Sequence, residues 1–241
     1  MSLKDELVSY WRLDEDSGDA IDSHGANTLQ AIDSPGTADG ILGTARTFNG
    51  STQSFSLNTP SLRVDNTSFT LSTWVRLNDL SASQMVAGIW SQADSGRRYR
   101  IVYVFSDQKF YWQVSSNGTS ATGTLIANTF GAISAGQWYH VIAWRDLAQN
   151  EIGIAVNGVH DTVSGSSIRD GGGAFTLGRN ADNTLPLGGR IDEVAMWKRV
   201  LSIRERKTLY NGGIAFGYEE SPWGDTLQPR IISPHLIGDV G

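Results

Sequence analysis

Two carboxylates stand side by side in "GRIDEVAMWKRVLS" (Gly189 to Ser202): Asp192 and Glu193. Paired carboxylates can act as general acid and base, as ligands of a hard cation, or as hydrogen-bond acceptors. Retaining glycosidases need two of them about 5–5.5 Å apart across the scissile bond. Successive side chains of a strand leave on opposite faces. Alternation therefore sends Asp192 and Glu193 apart, with Asp192 on the face of Val194 and Met196. Neither has an acidic partner on its own face, and no E-x-D-x-E or E-x-D-x-x-E stretch occurs. The four histidines (His24, His140, His160, His235) lie near no nucleophile pattern, and cysteine is absent. The residues point away from catalysis.

Metal binding is the second chemistry. "DEDSGDAIDSHGAN" (Asp14 to Asn27) is crowded with side-chain oxygens. Calcium takes about six to eight oxygens, often from one loop and a distant residue. Asp22 and Asn27 are the loop candidates, and Asp192 is the distant one. An ionised Asp192 beside an apolar stripe needs a partner. Calcium, a pair of backbone amides, or an arginine such as Arg12 or Arg46 would serve. A structural Ca2+ is the expected cofactor, against the plainer reading of a solvated acidic turn.

Sugar binding is the third. Sugars are held by aromatic faces and a few planar polar groups in a groove. In "SFTLSTWVRL" (Ser68 to Leu77), Leu71, Thr73, Val75 and Leu77 share one face, and Trp74 and Arg76 take the other. In "QWYHVIAWRD", His140, Ile142 and Trp144 oppose Val141 and Ala143. A concave face of Trp74, Arg76, Arg100 and Trp144, with "QADSGRR" as a rim loop, is the expected ligand site. The inward side of "YRIVYVF" stays open, as does that of Trp112. "RRYR" (Arg97 to Arg100) suggests an acidic glycan or, more simply, the start of a solvated hairpin.

The elements that must position these residues are strands. Period-two stretches recur, separated by turn signals such as Asn49-Gly50, Asp107-Gln108 and Asn157-Gly158. One helix is expected in "LSIRERKTLYNGG", opened by a capping box of Ser202 and Glu205. Ile203, Leu209 and Tyr210 give it a packed side, and Gly212 or Gly213 stops it. Residues 1–217 form the folded unit, and 218–241, with three of the six prolines, read as a tail or linker.

Together, "YWRLDEDSGDAIDSHGAN", "ARTFNG", "SFTLSTWVRL", "QWYHVIAWRD", "IGIAVNGV", "FTLGR" and "GRIDEVAMWKRVLSIRERKTLYNGG" resemble the laminin-G-like, or concanavalin A-like, jelly-roll domains, a group that includes the pentraxins. The resemblance covers roughly residues 7–213. It implies an all-β, two-sheet antiparallel jelly-roll sandwich, one sheet concave and one convex. It also implies members that often bind glycans, frequently with calcium nearby. The same fold carries lectins, adhesion modules, enzyme accessory modules and some glycosidases, so fold alone does not give function.

Composition narrows the partners. A net charge of −6 argues against nucleic acid, and no apolar run reaches the roughly 18 residues of a membrane span. The sequons at Asn49, Asn66 and Asn117 are uninformative in a chain rich in Ser and Thr. The expected function is a non-catalytic, lectin-like or adhesion module binding a carbohydrate or glycoconjugate. It would be a domain of a larger extracellular, cell-surface or virion protein. The alternatives are an assembly module with no sugar ligand and a glycosidase of the same fold.

Overall fold

Hydrophobic alternation is realised as fifteen strands and one α-helix in the computed structural model, which describes residues 2–215 apart from 65, 94 and 166. In chain order they are β1 (Leu7–Trp11), β2 (Gln30–Ile32), β3 (Gly36–Asp39), β4 (Thr44–Asn49), β5 (Ser54–Leu57), β6 (Phe69–Leu77), β7 (Gln84–Ile89) and β8 (Tyr99–Val104). Then follow β9 (Lys109–Val114), β10 (Gly123–Ile126), β11 (Trp138–Asp146), β12 (Glu151–Val156), β13 (Val159–Ser164), β14 (Phe175–Leu177), β15 (Gly188–Trp197) and α1 (Ile203–Tyr210). The expected tail, 218–241, lies outside the described residues.

The strands form two antiparallel sheets stacked as a jelly-roll sandwich. The first runs β13-β12-β11-β6-β15-β4-β3, with β1 also on β15; the second runs β10-β9-β8-β7-β14-β5-β2. Between them lies the main core. Leu71 and Val75 of β6, Val141 and Ala143 of β11, and Ile191, Val194 and Met196 of β15 supply one side. The inward residues of β8 are Tyr99, Ile101 and Tyr103, and Trp112 of β9 points inward with them. Phe69 bridges the sheets, with ring centroids 4.8 Å from Tyr99 and 5.8 Å from Trp112. Such tilted contacts add to the burial of large apolar area that dominates stability.

The two sheets differ on their outer faces. Strands β6, β11 and β15 are buried on nearly every residue. Strand β9 alternates strictly between buried and half-buried positions. Sheets covered on both faces need continuous apolar runs, and sheets open on one face alternate. A second apolar layer explains the difference. Tyr10, Ile142, Trp144, Ala195 and Trp197, on the outer face of the first sheet, pack with Leu201 and with Leu209 of α1. The second sheet is half-exposed on its outer side at β9 and β10, while β7 and β14 are buried throughout.

Helix α1 starts as expected: Ser202 accepts from the Glu205 amide, and the Glu205 side chain reaches back to the Ser202 N–H. Such caps contribute about 1 kcal/mol. Its end and its packed side differ from expectation. Asn211, not glycine, takes the left-handed stop at φ 45°. Ile203 is 54% exposed, leaving Leu209 as the buried apolar residue of the helix. Ile203 instead borders a small cleft with His140, Ile142 and Ala155 of the first sheet.

Candidate ligand-binding face

The acid pair escapes the alternation rule. On β15, Asp192 pairs with Trp74 and the next register pair is Ala195 with Ser72, so three residues answer two. That is a β-bulge, with Glu193 at φ 50°. Ile191 and Val194 both face the core. Both carboxylates therefore leave on the outer side, and Asp192 lies opposite Val194 and Met196 instead of beside them.

The bulge sits at a seam. Strand β4 pairs with β15 as far as Ile191, and β1 takes over the same edge from Val194. Asp192 holds the β3–β4 turn: Oδ2 accepts the N–H of Ile41 (2.9 Å) and Leu42 (3.2 Å), and Oδ1 accepts that of Glu193 (3.0 Å). Glu193 holds β1, because the Tyr10 hydroxyl donates to its Oε2. The pair splices two short strands onto one long one and does no catalytic work there.

Burial raises the pKa of both acids, and the charge of Asp192 pushes Glu193 further up. Amide donors offset part of the rise at Asp192, whereas Glu193 has one hydroxyl donor and an unpartnered Oε1. The sign follows: a raised folded-state pKa gives stability that is full at low pH and lost as pH rises through that pKa. Glu193→Gln keeps an acceptor for Tyr10 and supplies a permanent N–H. It is expected to raise the melting midpoint at neutral pH and flatten its decline as pH rises above the ordinary carboxylate range. Thermal scans from acid to neutral pH check it; a variant that melts lower and keeps the wild-type slope would refute the raised pKa of Glu193.

The acidic loop is organised by its own backbone. Asp22 Oδ1 accepts from the amides of Tyr10 (3.0 Å), His24 (3.0 Å) and Gly25 (2.9 Å), and Oδ2 from Asn27 (3.0 Å). Burial works to raise its pKa, but these four donors outweigh it and hold the carboxyl below its usual range. Asp14 accepts from Thr44, Glu15 from Ile21 and Asp19 from Ala31. Asn27 gives its amide to Ser9 (2.7 Å), accepts from Ser61 (2.5 Å), and its carbonyl holds the Trp11 indole N–H (2.7 Å).

A carboxylate has about four lone-pair sites, and Asp22 already accepts four amides, three on Oδ1 and one on Oδ2. Asp192 is committed to the β3–β4 turn. The donor set expected for calcium, Asp22, Asn27 and Asp192, therefore does not fit that ion. Among the described residues, no three His, Cys, Asp or Glu side chains are grouped to hold a metal. EDTA is expected to leave the melting midpoint unchanged; a drop of several degrees, reversed by Ca2+, would reinstate a metal.

The expected sugar platform is divided between the two sheets. Trp74 and Trp144 lie on the outer face of the first sheet but are 3% and 2% exposed. Trp74 packs among His140 and Tyr210 (4.9 and 6.2 Å between centroids). Its neighbour His140 is held neutral, pushed down to about 3 by burial, with Nε2 2.9 Å from the Ser72 hydroxyl. Trp144 lies flat over Gly153, where an added methyl would sit 2.0 Å from the indole, and Arg206 of α1 covers its other face at 3.9 Å. Both rings pack under the helix, where no sugar reaches. Arg76, half-buried, is on this sheet too, opposite Trp138 and Arg190.

Arg100 alone of the four lies on the second sheet. A cross-strand row runs Thr124, Gln113, Arg100, Gly88, Thr176. Gln113 Oε1 takes two N–H groups of Arg100, from Nε (2.9 Å) and Nη2 (2.7 Å), and Asn180 Oδ1 takes Nη1 (3.2 Å). The guanidinium lies over Trp90, 4.3 Å from its ring centroid, and Arg97 approaches the same ring at 5.9 Å.

Gly88 makes a notch beside Arg100. Its φ is +146°, and a Cβ there would meet Tyr99 O at 2.3 Å. The loop before β8 is braced: Arg97 donates to Gln92, and the Gln92 amide donates to Asp182 of the facing loop after β14. Arg98, by contrast, is buried and holds the carbonyls of Ser95, Arg97 and Gly172.

Gln113, Asn180 and Trp90 are absent from the sequence-derived set. Gln113 was detectable, as the polar residue between Trp112 and Val114. Asn180 was not, since a loop with no periodicity carries it.

This geometry offers a shallow polar trough: planar amides, a clamped guanidinium and two bordering loops. A family model described as the concanavalin A-like lectin/glucanases superfamily (Laminin_G_3) matches residues 49–205. No curated protein sequence matches the chain. Among solved structures, similar folds include the binding domain of Paraclostridial Mosquitocidal Protein 1 (20% identity, 88% of this chain and 53% of that one, TM-score 0.69). The binding domain of botulinum neurotoxin serotype D is similar at 12% identity (87% and 52%, TM-score 0.68). So is domain 4 of AbnA, a GH43 extracellular arabinanase from Geobacillus stearothermophilus, solved with arabinotriose (20% identity, 85% and 98%, TM-score 0.64). The chain spans about half the length of the toxin binding domains and nearly all of the arabinanase domain. The matched residues cover more than half of the sequence, and the chain belongs to the concanavalin A-like lectin/glucanase superfamily.

Proposed function

We propose that the chain is a non-catalytic carbohydrate-binding module of a larger extracellular, cell-surface or virion protein. The trough on the second sheet carries this reading. It is the half-exposed part of that sheet's outer face, and it is lined by Arg100, Gln113 and Thr124 beside Trp90. Planar amides and a guanidinium in fixed orientation are the groups that recognise sugar hydroxyls. The arabinanase domain solved with arabinotriose supports a sugar ligand for this fold. Two observations support the absence of catalysis: Asp192 and Glu193 are sealed on the first sheet, and each is bound to structural donors. Among the described residues no helix is long and apolar enough to cross a membrane.

Affinity electrophoresis against a polysaccharide panel tests the reading. The wild-type chain is expected to be retarded by at least one polymer. Arg100→Ala is expected to lose that retardation with an unchanged fold, by about tenfold or more in affinity, as for a hydrogen-bonded charged group removed from a site. Retardation by no polymer would refute the carbohydrate reading and leave assembly as the alternative, which light scattering would detect.

A further inference from the structure

We infer that the trough takes an anionic glycan, one bearing carboxylate or sulfate groups; this rests on the carbohydrate reading above. Arg97 and Arg100 crowd onto the single ring of Trp90, at 5.9 and 4.3 Å. Like charges held this close repel. Yet every hydrogen bond they make there is to a neutral amide oxygen: Gln92 for Arg97, and Gln113 and Asn180 for Arg100. Among the described residues neither forms an ion pair with a carboxylate.

The nearest acid is Asp182. Its oxygens are taken by the Thr184 amide and hydroxyl and by the Gln92 amide, and it acts on Arg100 only through space. Two other buried cations are paired with a carboxylate, whereas Arg145, like Arg98, is held by neutral oxygens. Arg199 has Glu205 at 2.6 Å, and Arg46 has Glu15 at 3.8 Å.

A guanidinium has five N–H donors. Arg100 uses three in the bonds above, which hold its plane and leave two for a ligand. Its pKa is pushed down to about 10, first by burial and then by the charge of Arg97, so it stays a cation. A third guanidinium, Arg179, is half-buried over Ser54 (3.1 Å) on β5 of the same sheet. An anion in the trough would relieve the repulsion and gain a charge-assisted bond to a fork already aimed. A neutral sugar would gain only the bond.

The experiment uses polymers that differ in charge and little else. Polygalacturonate is compared with its fully methyl-esterified form, and dextran sulfate with dextran, by affinity electrophoresis of the full chain. At least one anionic member is expected to bind about tenfold more tightly than its neutral counterpart, with the margin shrinking as salt rises. The two pairs separate carboxylate from sulfate recognition. Arg97→Gln with Arg100→Gln is expected to erase the margin, and Arg204→Gln with Lys207→Gln on α1 to leave it intact. Wild-type binding that is equal within both pairs overturns the anionic inference while the carbohydrate reading stands. Binding to no polymer overturns both. Equal retardation by single-stranded DNA would also overturn the inference, because it would show attraction to any polyanion.

Discussion

Trp144→Ala is expected to lower stability by about 3–5 kcal/mol and to leave polysaccharide retention intact below its new melting midpoint. The indole is 2% exposed, with Gly153 below it and Arg206 above. Its removal opens a cavity between α1 and the first sheet, and Arg206 loses the ring it stacks on. Both effects stay on the sheet opposite the trough. Chemical denaturation gives the stability, and electrophoresis below the midpoint gives the binding. A variant of normal stability that fails to bind would make Trp144 a sugar platform after all. Together with Arg100→Ala, this substitution separates the face that holds the fold together from the face that meets ligand.

Asp22→Ala is expected to cost roughly 2–5 kcal/mol. It orphans the amides of Tyr10 and Asn27, both buried, along with those of His24 and Gly25. The Asp22→Asn variant keeps one carbonyl oxygen and should fall between. The pH dependence has the opposite sign to that of Glu193. The folded-state pKa of Asp22 is lowered, so its stabilisation is present above the unfolded-state pKa and is lost as pH falls through the folded value. Acid titration of stability should be shallower in Asp22→Ala than in the wild type. An equal acid slope would mean that the carboxylate charge is not what holds the loop.

Much of this was legible in the chain. Alternation in "SFTLSTWVRL" and "QWYHVIAWRD" placed Trp74 and Trp144 away from the core, and the structure agrees. What alternation does not say is whether a second layer covers that outer face. The covering comes from Leu201, Leu209 and Arg206, far along the chain, and the long apolar runs of β11 and β15 were the available sign of it. Asp192 and Glu193 failed for another reason. A bulge changes the period by one residue, and the sequence around it has no glycine to mark the positive φ of Glu193. The acids of "DEDSGDAIDSHGAN" looked like cation ligands because composition counts oxygens. It does not count the amides that a tight loop turns toward them. "RRYR" runs from a loop into β8, and of its three arginines only Arg100 lies in the strand, half-buried on its outer side.

The place of β15 has a kinetic consequence. It is the last strand among the described residues, yet it lies between β6 and the edge shared by β4 and β1. Leu7 at the start of the sheet pairs with Trp197 at its end. Until residue 197 has been synthesised, the first sheet lacks its middle, and β6, β4 and β1 each present an unmatched edge. The nascent chain must hold these strands apart, and the entropy of closing so long a loop falls due late. Folding is thus tied to the completion of translation through β15, and the interval before it is when the half-made sheet is most open to pairing with a neighbouring copy.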